Sequence, residues 1–159
     1  MKRFGAAEKG LTSVEFAVVG LLFFVVLFGV FEVSRAFYYF NALDEVTRRG
    51  ARMAAVCVVN DPAIAEVAVF NASGGPAASG LIPGLTTANV QVDYLNRDGV
   101  VIGDPVTNFG NIDYVQVSIV NFQHQLIIPT NFITITSPDF RTVLPRESLG
   151  VSREGFTPC

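Results

Sequence analysis

The chain has one histidine, His124, two cysteines, and only four basic side chains beyond Val58: Arg97, Arg141, Arg146 and Arg153. Each scarcity excludes something. A lone His124 between Gln123 and Gln125 forms no Cys–His–carboxylate cluster at metal-ligand spacing, and the expectation is an ordinary surface histidine. There is no glycine-rich phosphate loop. Asp98, Asp104 and Asp113 are spaced too widely for a calcium loop, so turn chemistry is the better account of them. The residues therefore point to a protein that is not an enzyme and uses no cofactor and no metal. The four basic residues beyond Val58 stand against nine acidic ones, a balance of −5, which is a poor electrostatic match for nucleic acid. No internal repeat is visible.

What the chain does have is an apolar run. Phe16 to Phe31 contains no charged or polar side chain. That is slightly short of the roughly 20 residues a bilayer needs, and Leu11 to Val14 make up the length. Glu15 then sits at the lip of the segment, where a carboxylate costs on the order of a few kcal/mol and more as it moves deeper. A residue held there at such a cost suggests an ion pair made inside an assembly. Gly20 and Gly29 lie in the run, but not at the small-xxx-small spacing of close helix pairs.

The leader in front is short and basic. Met1 to Gly10 carries Lys2, Arg3 and Lys9 against Glu8, a balance of +2. A secretory signal places its cleavage site after the apolar region. Here the candidate glycine, Gly10, precedes it, so a cut after Gly10 would leave the anchor on a mature chain starting at Leu11. That order resembles the signals cut by prepilin peptidases. The competing reading is an uncut signal anchor with an incidental glycine.

Past Phe31 the pattern turns amphipathic, with Val33, Phe37, Phe40, Leu43 and Val46 recurring at three and four. Tyr38 and Tyr39 fall where an aromatic belt would meet the headgroups. Ala51, Met53, Ala54 and Ala55 are good helix formers, so one helix is expected from about residue 12 to about 57. Arg48, Arg49 and Arg52 read as a solvated face, offset by Asp44 and Glu45.

At this point the residues carry a resemblance. Gly10-xxx-Val14-Glu15-Phe16-Ala17, the Phe- and Leu-rich run, Gly29-Val-Phe-Glu32-Val-Ser-Arg35-Ala-Phe-Tyr38, Ala42-Leu43 and Thr47-Arg-Arg-Gly50-Ala51-Arg52-Met-Ala-Ala55 together resemble the TadE-like family. Those are minor pilins or pseudopilins of the tight-adherence (Tad) secretion and pilus system. The resemblance is dense over residues 10–55 and thin afterwards. It implies processing after Gly10 by a prepilin peptidase, with Leu11 as the new N-terminus. It implies Glu15, followed by Phe16, as the assembly carboxylate, and other pilin and minor pilin subunits as partners. It also implies a start in the inner membrane and a role in initiating or supporting a pilus. The major Tad pilin is far shorter, which speaks against that role here.

The remainder reads as a small exported domain. Asp61-Pro62 is a helix start, with Asp as N-cap and Pro at the first position, so residues 62–71 are expected to form a second helix. Ser73 to Gly84 is a loop. Alternation over Val90–Tyr94, Val100–Ile102, Tyr114–Ile119 and Phe132–Ile135 predicts strands. Asn96-Arg97-Asp98-Gly99 predicts a hairpin turn, with Asp-Gly supplying positive φ. The expected fold class is α+β: a long helix, its first half transmembrane and its second half amphipathic, packed by a small antiparallel sheet. The organisation is a leader over 1–10, a long helix over 11–57 with a membrane segment of about 11–31, and an exported domain over 58–159. The N-terminus is expected in the cytoplasm and the domain in the periplasm.

Cys57 closes the helix and Cys159 is the last residue. An even count in an exported domain reads as a disulfide, worth roughly 4–5 kcal/mol in the chain-entropy model for a loop of about 100 residues. The alternative is two free thiols. Two function classes remain. One is a processed minor pilin. The other is an uncleaved single-span envelope protein whose periplasmic domain binds a ligand or partner. Glu15 distinguishes them, because the second class gives no reason for a carboxylate there.

Overall fold

The computed structural model describes residues 8–72, 74–126, 134–156 and 158–159, with side chains except at 8–11 and 134–135. Helix α1, Glu8–Val56, has 49 residues, a length of about 74 Å at 1.5 Å per residue. No proline interrupts it. It starts four residues earlier than expected and passes through Gly10. Glu8 and Lys9 are good helix formers, and one glycine costs only about 1 kcal/mol. Residues 1–7 of the expected leader lie outside the described residues.

The C-terminal carbonyls of α1, which have no partner within a helix, are met by a segment far along the chain. Glu147 and Leu149 donate their N–H groups to Ala55 O, and Gly150 donates to Val56 O at 2.7 Å. The Ser148 hydroxyl also bonds Val56 O, at 3.0 Å. Gly150 has φ +77, and a Cβ there would lie 2.8 Å from Val58, so this close approach needs glycine.

Helix α2, Ala63–Ala68, is shorter at both ends than the predicted 62–71. Pro62 is its cap residue, and the Asp61 carboxylate accepts from the Ala63 N–H at 2.9 Å. Phe70, at φ 67, turns the chain away beyond it.

Three strands form the main sheet in the order β1 (Val90–Leu95), β2 (Tyr114–Ile119), β5 (Arg141–Pro145), all antiparallel. Val92 faces Val117, and Val115 faces Leu144. A separate ribbon pairs β3 (Gln123–Gln125) with β4 (Thr134–Thr136), and a second pairs β6 (Val151–Ser152) with β7 (Gly155–Phe156). Of the expected strands, Val90–Tyr94 and Tyr114–Ile119 are present. Thr134–Thr136 overlaps the expected Phe132–Ile135, whose first two residues lie outside the described set. Val100–Ile102 is not a strand. It contributes one bridge, Leu95 to Val101, with main-chain bonds from Ile102 N–H to Tyr94 O at 2.8 Å and from Asn96 N–H to Val100 O at 2.9 Å. The turn before it is present, but only Gly99 has positive φ. Asp98 is held instead by its N–H to the Asn96 side-chain oxygen at 3.0 Å, an Asx turn.

The core lies between the later half of α1, α2 and the inner face of the sheet. Leu43, Val46, Ala51 and Ala54 of α1 meet Ile64 and Ala68 of α2 and Val115, Val117 and Ile119 of β2. Gly50 lets the layers close: a Cβ there would lie 3.0 Å from Val117 and 3.1 Å from Ala68. Thr47, buried, shares its hydroxyl with Thr142 of β5 at 2.8 Å. Tyr94 is buried with its hydroxyl accepting from the Asn60 N–H at 3.1 Å, and burial raises its pKa above 10.

The expected amphipathic stripe holds only in part. Leu43 and Val46 are buried and Phe40 half-buried, whereas Val33 and Phe37 are 57% and 63% exposed. At that level the domain side of α1 is occupied by Glu32, Arg35 and Tyr39, at helical spacings of three and four, which turns Val33 and Phe37 away.

Candidate functional site

The residues singled out for processing and assembly all lie on the free end of α1. Gly10 and Leu11 are in its first turns, with their side chains outside the described set. Glu15 and Phe16 are exposed, Phe16 at 79%. Every residue from Phe16 to Phe31 is exposed or half-exposed. Among the described residues α1 is the one helix long and apolar enough to cross a membrane, with a mean hydropathy of 2.7 and none of that window buried. An exposed Phe-rich surface of this length marks a site of membrane or protein contact. Glu15 and Glu32 bracket it, about 26 Å apart along the axis, close to the thickness of a hydrocarbon core.

Glu32 differs from Glu15. It is only 8% exposed, and its carboxylate pairs with Arg35 at 2.8 Å. Arg35 Nη2 also donates to the main-chain oxygen of Gln125 in β3 at 2.7 Å. The guanidinium lies over the Tyr39 ring, 5.8 Å from its centroid, and Tyr39 packs on the His124 ring at 4.8 Å. The turns that follow the apolar segment are thus tied to β3 by one main-chain bond and one ring contact, while the ion pair and the Arg35–Tyr39 contact order those side chains within α1.

His124 corrects the expectation of a surface histidine. It is 4% exposed. Strand alternation explains it: Phe122 and His124 point inward while Gln123 and Gln125 point out. Its pKa is lowered from 6.5, first by burial and then by the Arg35 charge, against a smaller opposing effect of Glu32. The same alternation was present in the sequence, but the polar flanking glutamines hid its inward face.

The remaining expectations fall into place locally. Cys57 and Cys159 form a disulfide, with Cα atoms 5.5 Å apart, and the Cys159 N–H donates to the Asp61 carboxylate at 2.8 Å. Arg48, Arg49 and Arg52 are exposed. Arg48 pairs with Asp44, and Arg49 lies over the Phe70 ring. Asp104 accepts from the Thr107 hydroxyl and from the Val106 and Thr107 N–H groups. Those bonds, the Thr107 hydroxyl first, lower its pKa, which is turn chemistry as expected.

A long apolar helix, exposed at one end and packed on a small disulfide-linked α+β domain at the other, fits the class of proteins with a candidate membrane-spanning helix and a folded domain beyond it. Within that class, residues 10–52 match the family model of TadE-like proteins. The match covers α1 and none of the sheet, and it points to association with a Tad pilus. Neither the curated proteins nor the solved structures hold a match to this chain.

Proposed function

We propose that the chain is a minor pilin or pseudopilin that takes part in assembly or initiation of a Tad-type pilus, and that its role is structural rather than catalytic. A prepilin peptidase cuts after Gly10. The mature helix starts at Leu11 in the inner membrane, with its N-terminal end on the cytoplasmic side, and the acidic domain projects into the periplasm. The observation that carries this reading is the exposed Glu15 at the head of the exposed apolar half of α1, inside the segment that matches TadE-like proteins.

The chemistry follows from the cut. Cleavage frees an α-amino group at Leu11, positively charged near neutral pH with a reference pKa of about 8. In an assembly, a neighbour's Leu11 amine lies against Glu15. Pairing offsets much of the desolvation of both charges, whereas either one left alone in a low-dielectric seam is strongly unfavourable. The pair therefore sets register between subunits more than it adds stability.

Two measurements test this. Intact mass of membrane-extracted protein, from cells with a working prepilin peptidase, should correspond to a chain starting at Leu11. Retention of Met1 to Gly10 there would leave the uncleaved single-span envelope protein as the better reading. Glu15→Gln and Glu15→Ala should leave membrane insertion and the disulfide intact while cross-linking to other pilin subunits falls several-fold. Wild-type levels of co-assembly in Glu15→Ala would make the carboxylate incidental.

A further inference from the structure

The exit turns of α1 contain an arrangement that pilus assembly does not use. A groove of about 620 Å³ opens between α1, the chain at 83–84 and β3, lined by Arg35, Tyr39, Gly84, Asn121, Gln123 and His124, among others. Two of these residues carry buried nitrogens with no hydrogen-bond partner among the described residues: Arg35 Nε and His124 Nε2. A buried polar group left unpaired costs about 1–3 kcal/mol, and a bound ion or water is one of the explanations such a group calls for in a native structure. Arg35 already uses Nη2 on Glu32 and on the Gln125 carbonyl, so its plane is held in place while other donors of the guanidinium remain for a ligand.

The depth of the groove narrows the ligand. Arg35 lies four residues beyond Phe31, about 6 Å along the helix axis. The headgroup layer occupies roughly the first 5–8 Å outside the hydrocarbon core. Phosphate oxygens are concentrated there, and a guanidinium suits a phosphate better than any other side chain does.

We propose that this groove binds a phosphate-class monoanion, with Arg35 and His124 supplying the hydrogen bonds and Glu32 acting as the positioning residue for Arg35. The charges favour a proton-coupled site. The groups facing His124 are Glu32, Arg35 and Tyr39 from α1. Among the described residues, Pro83, Gly84, Asn121 and the flanking Gln123 and Gln125 bring no charge, and Ile135 stands opposite in β4. Glu32 and Arg35 cancel, so an incoming anion meets a site of zero net charge while His124 is neutral. Protonation of His124 supplies the matching charge. Anion binding and proton uptake then favour each other, and binding tightens as pH falls. The site does not depend on cleavage at Gly10 or on Glu15, so its test is separable from that of pilus assembly.

The single histidine makes the experiment direct, because a ¹⁵N-histidine label reports His124 alone. The full chain, with its disulfide formed, is placed in phosphatidylcholine nanodiscs and titrated with inorganic phosphate. A second preparation replaces part of the lipid with phosphatidylglycerol. The expected result is a saturable change in the His124 ring signals and a rise in its titration midpoint. Apparent affinity should fall up to about tenfold per pH unit above that midpoint. Saturation by free phosphate in phosphatidylcholine assigns the site to a soluble anion. A response to phosphatidylglycerol alone assigns it to a lipid headgroup. Arg35→Gln should weaken binding about 10- to 100-fold, whereas Arg153→Gln, the same charge change at the far end of the domain, should not. No saturable response to either probe in the wild-type chain overturns the proposal, and so does an equal loss in both variants. Should Arg35→Gln fail to form its disulfide, the two wild-type titrations still decide.

Discussion

His124 is a neutral imidazole held between the Tyr39 ring and the β3–β4 ribbon, and its environment makes it an acid-sensitive contact. Its pKa in the folded chain is below the unfolded value of 6.5. Between those two values the unfolded chain binds the proton and the folded chain resists it. The contribution of His124 to stability is therefore full above about 6.5 and is lost as pH falls below it. Amide exchange across β3 in the full chain should speed up as pH falls through that range, after correction for intrinsic exchange. His124→Gln should remove this added pH dependence while leaving β1 and β2 unchanged. An identical pH response in His124→Gln would place the effect in the carboxylates instead. Tyr94 has the opposite sign at the other end of the scale. Its folded pKa lies above 10, so ionisation disfavours the folded state and stability falls as pH rises past 10.

At the scale of elements, Gly50 decides how closely α1 approaches its two neighbours. Alanine there gains about 1 kcal/mol in helix propensity. Against that, its Cβ would press on Val117 of β2 and Ala68 of α2 together, at 3.0 and 3.1 Å. Overpacking of this kind costs about 1–3 kcal/mol, and two separate elements must move to relieve it. Gly50→Ala should thus lose up to about 2 kcal/mol net, and Gly50→Leu clearly more, because its added volume has no comparable offset. Urea unfolding of the full chain in detergent, followed at the domain, measures both. A neutral Gly50→Leu would show that the layers separate more easily than their packing implies. The open edge of β5 raises a different issue. Pro145 stands on that strand without an N–H, which weakens the edge as a template for a further strand.

For the whole molecule, the disulfide and the 147–150 segment act on the same place, the C-terminal end of α1. The disulfide joins residues 102 apart in sequence, and the segment covers the last carbonyls of the helix. Cys159→Ser should therefore destabilise the domain by about 2–5 kcal/mol. It should also expose the Glu147, Leu149 and Gly150 N–H groups that bond the Ala55 and Val56 carbonyls to exchange with solvent, while leaving the apolar half of α1 unaffected. Thermal unfolding with and without reductant checks the first part. Equal stability of the oxidised and reduced chains would show that the 147–150 segment holds the helix end alone. Since the apolar half of α1 is exposed and remote from this region, membrane insertion and any processing at Gly10 should be unchanged in the variant.

The parts legible in the sequence are those governed by local periodicity. An uninterrupted apolar run and a proline-free stretch of strong helix formers are enough to specify α1 and its candidate membrane span. Two-residue alternation is enough for β1 and β2, and the ordered segments from Gly10 to Ala55 together carry the likeness to TadE-like proteins. The rest depended on which surfaces meet. The wheel of α1 offers Val33 and Phe37 as readily as Tyr39 and Leu43, and only the placement of β3 puts Glu32, Arg35 and Tyr39 on the packed side. Val100–Ile102 has the composition of a strand, but its neighbours leave room for one bridge. Arg141–Pro145 was not anticipated as a strand, and β2 makes it one by offering a free edge. His124 lies among glutamines that favour water, yet the inward phase of β3 buries it. Two cysteines in an exported domain suggested a bond. Only the return of the chain to the end of α1 brought Cys57 and Cys159 within bonding distance, because sequence separation carries no information about distance in a folded chain.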